Sequence, residues 1–182
     1  MRLFLAIDPP PDLGSALQEA LLPWRHKLPD WHWGAAARYH LTLRFLGETD
    51  SKLIPEIIAG MARASHTIPA FTLSSTSWGF FPRPAAATLF WLGWGERDSD
   101  FLSALAKAAN EHIACGERDN RPYSPHLTLA RSRTPQTIAL AQLTALPLPT
   151  ILWPVDSWHL YQSQLGSGPP RYLRLHSQPL HT

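Results

Sequence analysis

His40-Leu41-Thr42-Leu43 and His126-Leu127-Thr128-Leu129 are the same four residues in the same order, one copy in each half of the chain. A strand turns successive side chains to opposite faces, so His and Thr project together on one side while both leucines enter a core. Random placement of this composition predicts only about 0.1 such alternating match, so chance explains the pair poorly. Brought face to face, two imidazoles and two hydroxyls form the polar walls of a cleft suited to a small ligand.

Working outward, the same order of elements surrounds each copy. Residues 2–7 read as a buried strand ended by Asp8 and three prolines. Leu13, Ala16, Leu17, Ala20, Leu21 and Trp24 then recur at helical spacing, with Pro23 as a kink or early end. Residues 29–39 read as loop, 40–46 as a strand stopped by Gly47, 51–65 as a helix with Pro55 in its first turn, and 71–78 as a strand. The second half offers a strand at 88–94, a helix at 99–114, a strand at 126–130, a helix at 136–145, and strands near 156–163 and 171–176. Leu3 precedes His40 by as many positions as Leu89 precedes His126, and Ser77-Trp78 matches Ser157-Trp158. The expected fold is α+β: a single bilobal domain over 1–182, with half-repeats at about 1–80 and 86–182. Two antiparallel sheets related by a pseudo-two-fold carry helices on the outside and leave a central cleft between the lobes.

Composition narrows the function. The 182 residues are 45% apolar and 16% charged, enough for a core and too apolar for disorder. A net charge of +2 is too small to hold a long phosphate backbone, so a nucleic-acid contact should be short. Cys115 stands alone and can build neither a disulfide nor a cysteine zinc site. No apolar run reaches the length of a membrane span, and the first residues lack a signal peptide's apolar stretch. A soluble, cytoplasmic monomer is expected. Thirteen of the sixteen basic residues are arginine, a bias that suits planar phosphate recognition but also follows from a GC-rich genome.

The pair of motifs suits acid–base chemistry at phosphorus. One neutral imidazole takes a proton from water while the other, as imidazolium, protonates the departing oxygen. Neither step needs a metal or cofactor. Threonine hydroxyls donate to the nonbridging oxygens, which carry more negative charge in the transition state.

At these residues the chain resembles the two-histidine phosphoesterase superfamily, in particular its RNA 2′,3′-cyclic phosphodiesterases, historically named 2′-5′ RNA ligases. The likeness takes in Arg2-Leu3-Phe4-Leu5-Ala6-Ile7, His40 through Gly47, and Arg121-Pro122-Tyr123-Ser124-Pro125-His126 through Arg131. It implies a bilobal α+β fold and metal-independent hydrolysis of an RNA terminal 2′,3′-cyclic phosphate to a 2′-phosphomonoester. By the same resemblance, His40 and His126 are the catalytic pair and Thr42 and Thr128 bind the phosphate. Opening the ring toward the 2′-phosphate makes the 3′-oxygen the leaving group, which assigns His126 as base and His40 as acid, although symmetry leaves the reverse open. Arg131 is the expected phosphate clamp. Tyr123 and Phe4 are candidates for stacking on the terminal base, with core packing as the competing role. Arg44 alternates onto the His–Thr face and so is expected near the cleft, while Trp31 and Trp33 are candidate loop contacts to substrate. The implied partners are RNA ends or short oligonucleotides, tRNA fragments among them.

Three other outcomes stay open on the same residues. One is reversible 2′-5′ ligation, or hydrolysis of a cyclic nucleotide or an ADP-ribose cyclic phosphate. Another is a noncatalytic nucleotide-binding module, which has no need for two proton carriers. The last is a metal site at His40 and His126, disfavoured because no carboxylate or third His lies at strand spacing beside either motif.

Overall fold

The structure, a computed structural model, describes residues 1–116, 122–139, 141, 146–166 and 168–181. Strand β1, Arg2–Ile7, is buried on both faces beyond its first residue, which accounts for its unbroken apolar run. Helix α1, Leu13–Lys27, buries Leu13, Leu17, Leu21 and Trp24, the expected stripe. Pro23 does not end it. The backbone bond that proline removes would have reached the carbonyl of exposed Glu19, which water can satisfy. Residues 29–39 contain a two-residue strand β2, His32–Trp33, and a 3-10 turn, Ala36–Arg38, ahead of β3, Leu41–Glu48. Gly47 adopts φ 69° inside β3 and does not stop it.

Helix α2, Ile54–Ser65, carries Pro55 in its first turn as expected, and β4 runs Phe71–Phe81. Strand β5 is Ala87–Gly95, α3 is Phe101–His112, and β6 is His126–Gln136. The expected helix at 136–145 does not begin there: Gln136 ends a strand and residues 137–139 have no regular structure, while 140 and 142–145 lie outside the described residues. Strand β7, Leu152–Val155, has no counterpart in the expectation because its Pro154 masks the pattern. Strands β8, Ser157–Gln164, and β9, Arg171–Pro179, complete the chain.

The sheet order is β7-β4-β5-β6-β3-β1-β8-β9, with β2 on β6, and every pairing within it is antiparallel. Its two halves join through a single residue pair, Leu41 with Leu127, the same position of the two motifs. The pseudo-two-fold therefore passes through that pair, and beyond it the two strands splay apart. Each half of the chain lends elements to the other: β4 pairs with β5, while β8 and β9 extend the sheet beyond β1. The helices follow suit. Trp24 of α1 packs on Phe80 and Phe90 of the second half-sheet, while α3 lies against β3 of the first.

Most tryptophans pack in the core: Trp24, Trp31, Trp78, Trp94, Trp153 and Trp158 are buried. Trp78 on β4 and Trp158 on β8, matched in sequence, are both buried. The indole of Trp158 donates to the Ser65 hydroxyl of α2 at 2.8 Å, which settles its one polar atom in the core. Among the described residues, no helix is long and apolar enough to cross a membrane.

Candidate active site

The antiparallel register at Leu41–Leu127, carried one residue to either side, sets His40 across from Thr128 and Thr42 across from His126. The two histidines are then diagonal neighbours, and both line one cleft.

Both imidazoles are fixed in the same way. His40 Nδ1 lies 2.9 Å from the Arg38 carbonyl and His126 Nδ1 lies 2.7 Å from the Ser124 carbonyl, each two residues upstream. A carbonyl only accepts, so each Nδ1 carries a proton and each Nε2 is left to exchange protons with a ligand. The 3-10 turn at Ala36–Arg38 presents one carbonyl. Ser124, which the following Pro125 biases toward the extended region, presents the other. Aromatic rings brace both imidazoles: Phe4 and Tyr172 at 5.1 and 5.0 Å from His40, Phe81 and Trp91 at 5.0 and 6.2 Å from His126.

Burial among these rings holds both histidines below their ordinary range, and for each the backbone carbonyl pushes the other way. Arg131, which lines the same cleft, lowers both further. Among the described residues only His40 of the pair has an anion acting on it, Asp8, whose carboxylate favours the imidazolium form.

Past the threonines, both strands depart from simple alternation at the same place. Ala6 pairs with Thr42 and Leu5 with Arg44, so Leu43 is an extra residue; Trp91 pairs with Thr128 and Phe90 with Ala130, so Leu129 is its twin. Each bulge turns the next residue inward and the one after it outward. The burial from His40 to Phe45 and from His126 to Arg131 is consequently identical. Arg44, expected near the cleft, is only 4% exposed and points into the core. Its guanidinium donates to the carbonyls of Ala109, Ile113 and Cys115 at 3.0, 2.7 and 2.8 Å, closing the C-terminal end of α3. Phe45 takes the outward place instead, 62% exposed, and Arg131 is its pseudosymmetric counterpart. One lip thus bears an aromatic ring and the other a cation.

A cleft of about 590 Å³ lies over the motifs, and His40, Thr42, His126, Thr128, Arg131, Phe4 and Phe45 all line it. Arg131 makes no ion pair among the described residues. Phe4 is 3% exposed and forms floor beneath His40, stacked on Tyr161. Tyr123 does not line the cleft. Its ring packs against the core and its hydroxyl donates to the Thr42 carbonyl at 3.0 Å, so it braces one motif from the segment leading to the other. Burial pushes its ionisation far up, which keeps the proton in that bond. Trp31 is likewise core, edge-on to Phe80, whereas Trp33 does line the cleft under the Arg25 guanidinium.

Two positions at the site had no signal in the motifs. Tyr172, on β9, reaches His40 because β9 belongs to the first half-sheet. Asp8 reaches the same wall directly after β1. Its carboxylate accepts from the Tyr161 hydroxyl at 2.7 Å and pairs with Arg174 at 3.1 Å, with His159 Nε2 at 3.7 Å. Among the described residues no three His, Cys, Asp or Glu side chains converge to hold a metal ion.

A curled antiparallel sheet thus sets two His–Thr strands about a pseudo-dyad, with each imidazole held through Nδ1. The family profile described as the 2′-5′ RNA ligase superfamily matches residues 9–166, and the chain belongs to that superfamily. It is 31% identical to the RNA 2′,3′-cyclic phosphodiesterase of Escherichia coli, over 96% of this chain and 93% of that protein. It is 27% identical to the protein of that name from Thermotoga maritima, over 94% and 91%. Among solved structures, a Thermus thermophilus protein superposes with a TM-score of 0.78 at 26% identity, covering 99% of this chain and 98% of its own. Escherichia coli LigT complexed with 3′-AMP superposes at 0.72 and 28% identity, covering 100% and 98%.

Proposed function

We propose that this chain hydrolyses RNA terminal 2′,3′-cyclic phosphates to 2′-phosphomonoesters, without a metal, using its two His–Thr motifs. The observation that carries the reading is the pair of imidazoles with Nδ1 tied to backbone, each offering Nε2 to one cleft from opposite sides of a pseudo-dyad. The relatives named RNA 2′,3′-cyclic phosphodiesterase support the substrate class.

His126 Nε2 removes a proton from water as the water oxygen bonds to phosphorus. The bond from phosphorus to the 3′-oxygen breaks in line, and His40 Nε2 delivers its proton to that oxygen. The Asp8 carboxylate favours the imidazolium form of His40, and among the described residues no anion does so at His126, which supports His40 as the proton donor. Thr42 and Thr128 hydroxyls donate to the nonbridging oxygens, and Arg131 offsets their charge. Turnover leaves His40 neutral and His126 protonated, and solvent resets both. Exposed Phe45 offers a stacking face to the terminal base, which requires no base identity. Both motifs lie in one chain, so the proposed site needs no second copy. A 5′-hydroxyl in place of the water would leave a 2′-5′ linkage by the same steps.

The direct test is incubation with an RNA ending in a 2′,3′-cyclic phosphate in the presence of a chelator, followed by product mapping. A 2′-monoester is expected; a 3′-monoester, or no turnover, overturns the proposal.

The pH dependence follows from the direction of the histidine shifts. The working form has one imidazole neutral and one protonated, and in the free protein both lie below the ordinary 6.5. Raising pH above that value strips the donor, so kcat/KM should peak on the acid side of about 6.5 and fall on both flanks. In the complex the phosphate anion favours imidazolium, so kcat should peak at higher pH than kcat/KM. Coincident optima above about pH 7 would contradict this.

A further inference from the structure

His40 stands between two hollows, and only one of them is the cleft over the motifs. The second, of about 480 Å³, shares Phe4, Arg38, Tyr39, His40 and Tyr172 with the cleft and extends away from His126. We propose that this second cavity holds the penultimate nucleotide of the RNA strand, so that the protein favours oligonucleotide ends over cyclic mononucleotides. The inference rests on the cyclic-phosphate reading above and adds a substrate length to it.

The chemistry of displacement sets the direction. Water enters on the His126 side, and the 3′-oxygen leaves toward His40, so the terminal ribose lies on the His40 side of phosphorus. A cavity that borders His40 and not His126 is therefore reached by the strand's own upstream chain. A second strand bearing a 5′-hydroxyl would have to approach beside His126 instead. Both hollows fall within the range of about 300–1,000 Å³ that houses small ligands, so each has room for one nucleotide.

The lining fits that occupant. Arg38 lines both hollows and makes no ion pair among the described residues, so a cation stands where the linking phosphodiester must pass. Tyr172, also shared, offers a ring at the junction. At the far wall Asp8 and Arg174 present an acceptor and a donor. The Tyr161 hydroxyl holds the Asp8 carboxylate, and the Trp153 indole donates to the Asp8 backbone carbonyl at 2.9 Å. The charged and titratable groups facing the cavity are Asp8, Arg38, Arg174, His40, and the two tyrosines 161 and 172 with Tyr39. Two fixed cations against one carboxylate leave it positive, as an internucleotide phosphate requires.

The test compares kcat/KM for a nucleoside 2′,3′-cyclic phosphate with that for a dinucleotide ending in the same group. The dinucleotide should be favoured tenfold or more, on the scale of one stacked base and one phosphate contact. Pro11, exposed and lining only the second cavity, supplies the matching variant. Pro11→Trp fills the hollow and should erase the preference while leaving mononucleotide turnover within about twofold, with Pro11→Ala retaining the preference. A wild-type ratio near one overturns the subsite whether or not the tryptophan variant folds. So does a Pro11→Trp variant that slows both substrates equally. Turnover of neither substrate overturns the cyclic-phosphate reading and the subsite with it.

Discussion

Replacing His40 or His126 by alanine should lower kcat on a cyclic-phosphate RNA end by about 10² to 10⁴, the scale of a lost general acid or base. The two losses should not multiply. Both protons move in one displacement, so the double variant should be little slower than the worse single one, as in other groups that act as a unit. Roles can be separated by the leaving group. A substrate with sulfur in place of the 3′-oxygen departs as a stable thiolate and needs no proton. On it, His40→Ala should recover most of its loss and His126→Ala should not. The opposite pattern would exchange the two roles, and near-normal turnover by either alanine variant would sink the two-proton scheme. Circular dichroism guards the interpretation, because each ring also packs against aromatics that the truncation leaves exposed.

Thr42→Val and Thr128→Val should each cost about 10² in kcat, the order seen when one donor to a developing oxyanion is removed. Valine keeps the branched shape that suits the strand and removes only the hydroxyl. The hydroxyls sit across the pseudo-dyad and act on different oxygens, so here the losses should multiply toward about 10⁴. Steady-state kinetics of both single variants and the double provide the check. A double variant no worse than a single one would show that only one threonine meets the phosphate. A rise in KM with kcat unchanged would mean that the hydroxyls hold the ground state as tightly as the transition state.

How far the site could be read from the chain depends on where alternation holds. From His40 to Thr42 and from His126 to Thr128 the period of two is kept, so the shared His–Thr face was legible at once. The bulges at Leu43 and Leu129 break that period, and neither leucine differs from an ordinary strand residue. That is why alternation directs Arg44 to the cleft although its guanidinium caps α3, and gives no sign of Phe45. Arg131 was placed at the cleft by resemblance to the family, since alternation alone would have turned it away from the histidines. Tyr123 misled for another reason: its hydroxyl meets a carbonyl far away in sequence, and no local pattern encodes that contact. The helices α1, α2 and α3 and most strands follow their apolar periodicity, whereas residues 136–139, expected to open a helix, do not. The pairing of β4 with β5 and of β8 with β1 did not, because long-range partnership is decided by what each strand buries and not by its own pattern.

The trading of elements between the halves also bears on how such a molecule could have arisen. A half-length ancestor with one His–Thr strand would lack the third strand that its own sheet needs. It could complete that sheet only by borrowing from a twin, as domain-swapped dimers do. In that dimer the crossover between identical leucines lies on a true symmetry axis, and each copy supplies one proton carrier to a shared phosphate. Gene fusion would then have made permanent an intertwining already present. It would also have freed the two proton carriers to diverge, as the Asp8 carboxylate acting on His40 illustrates.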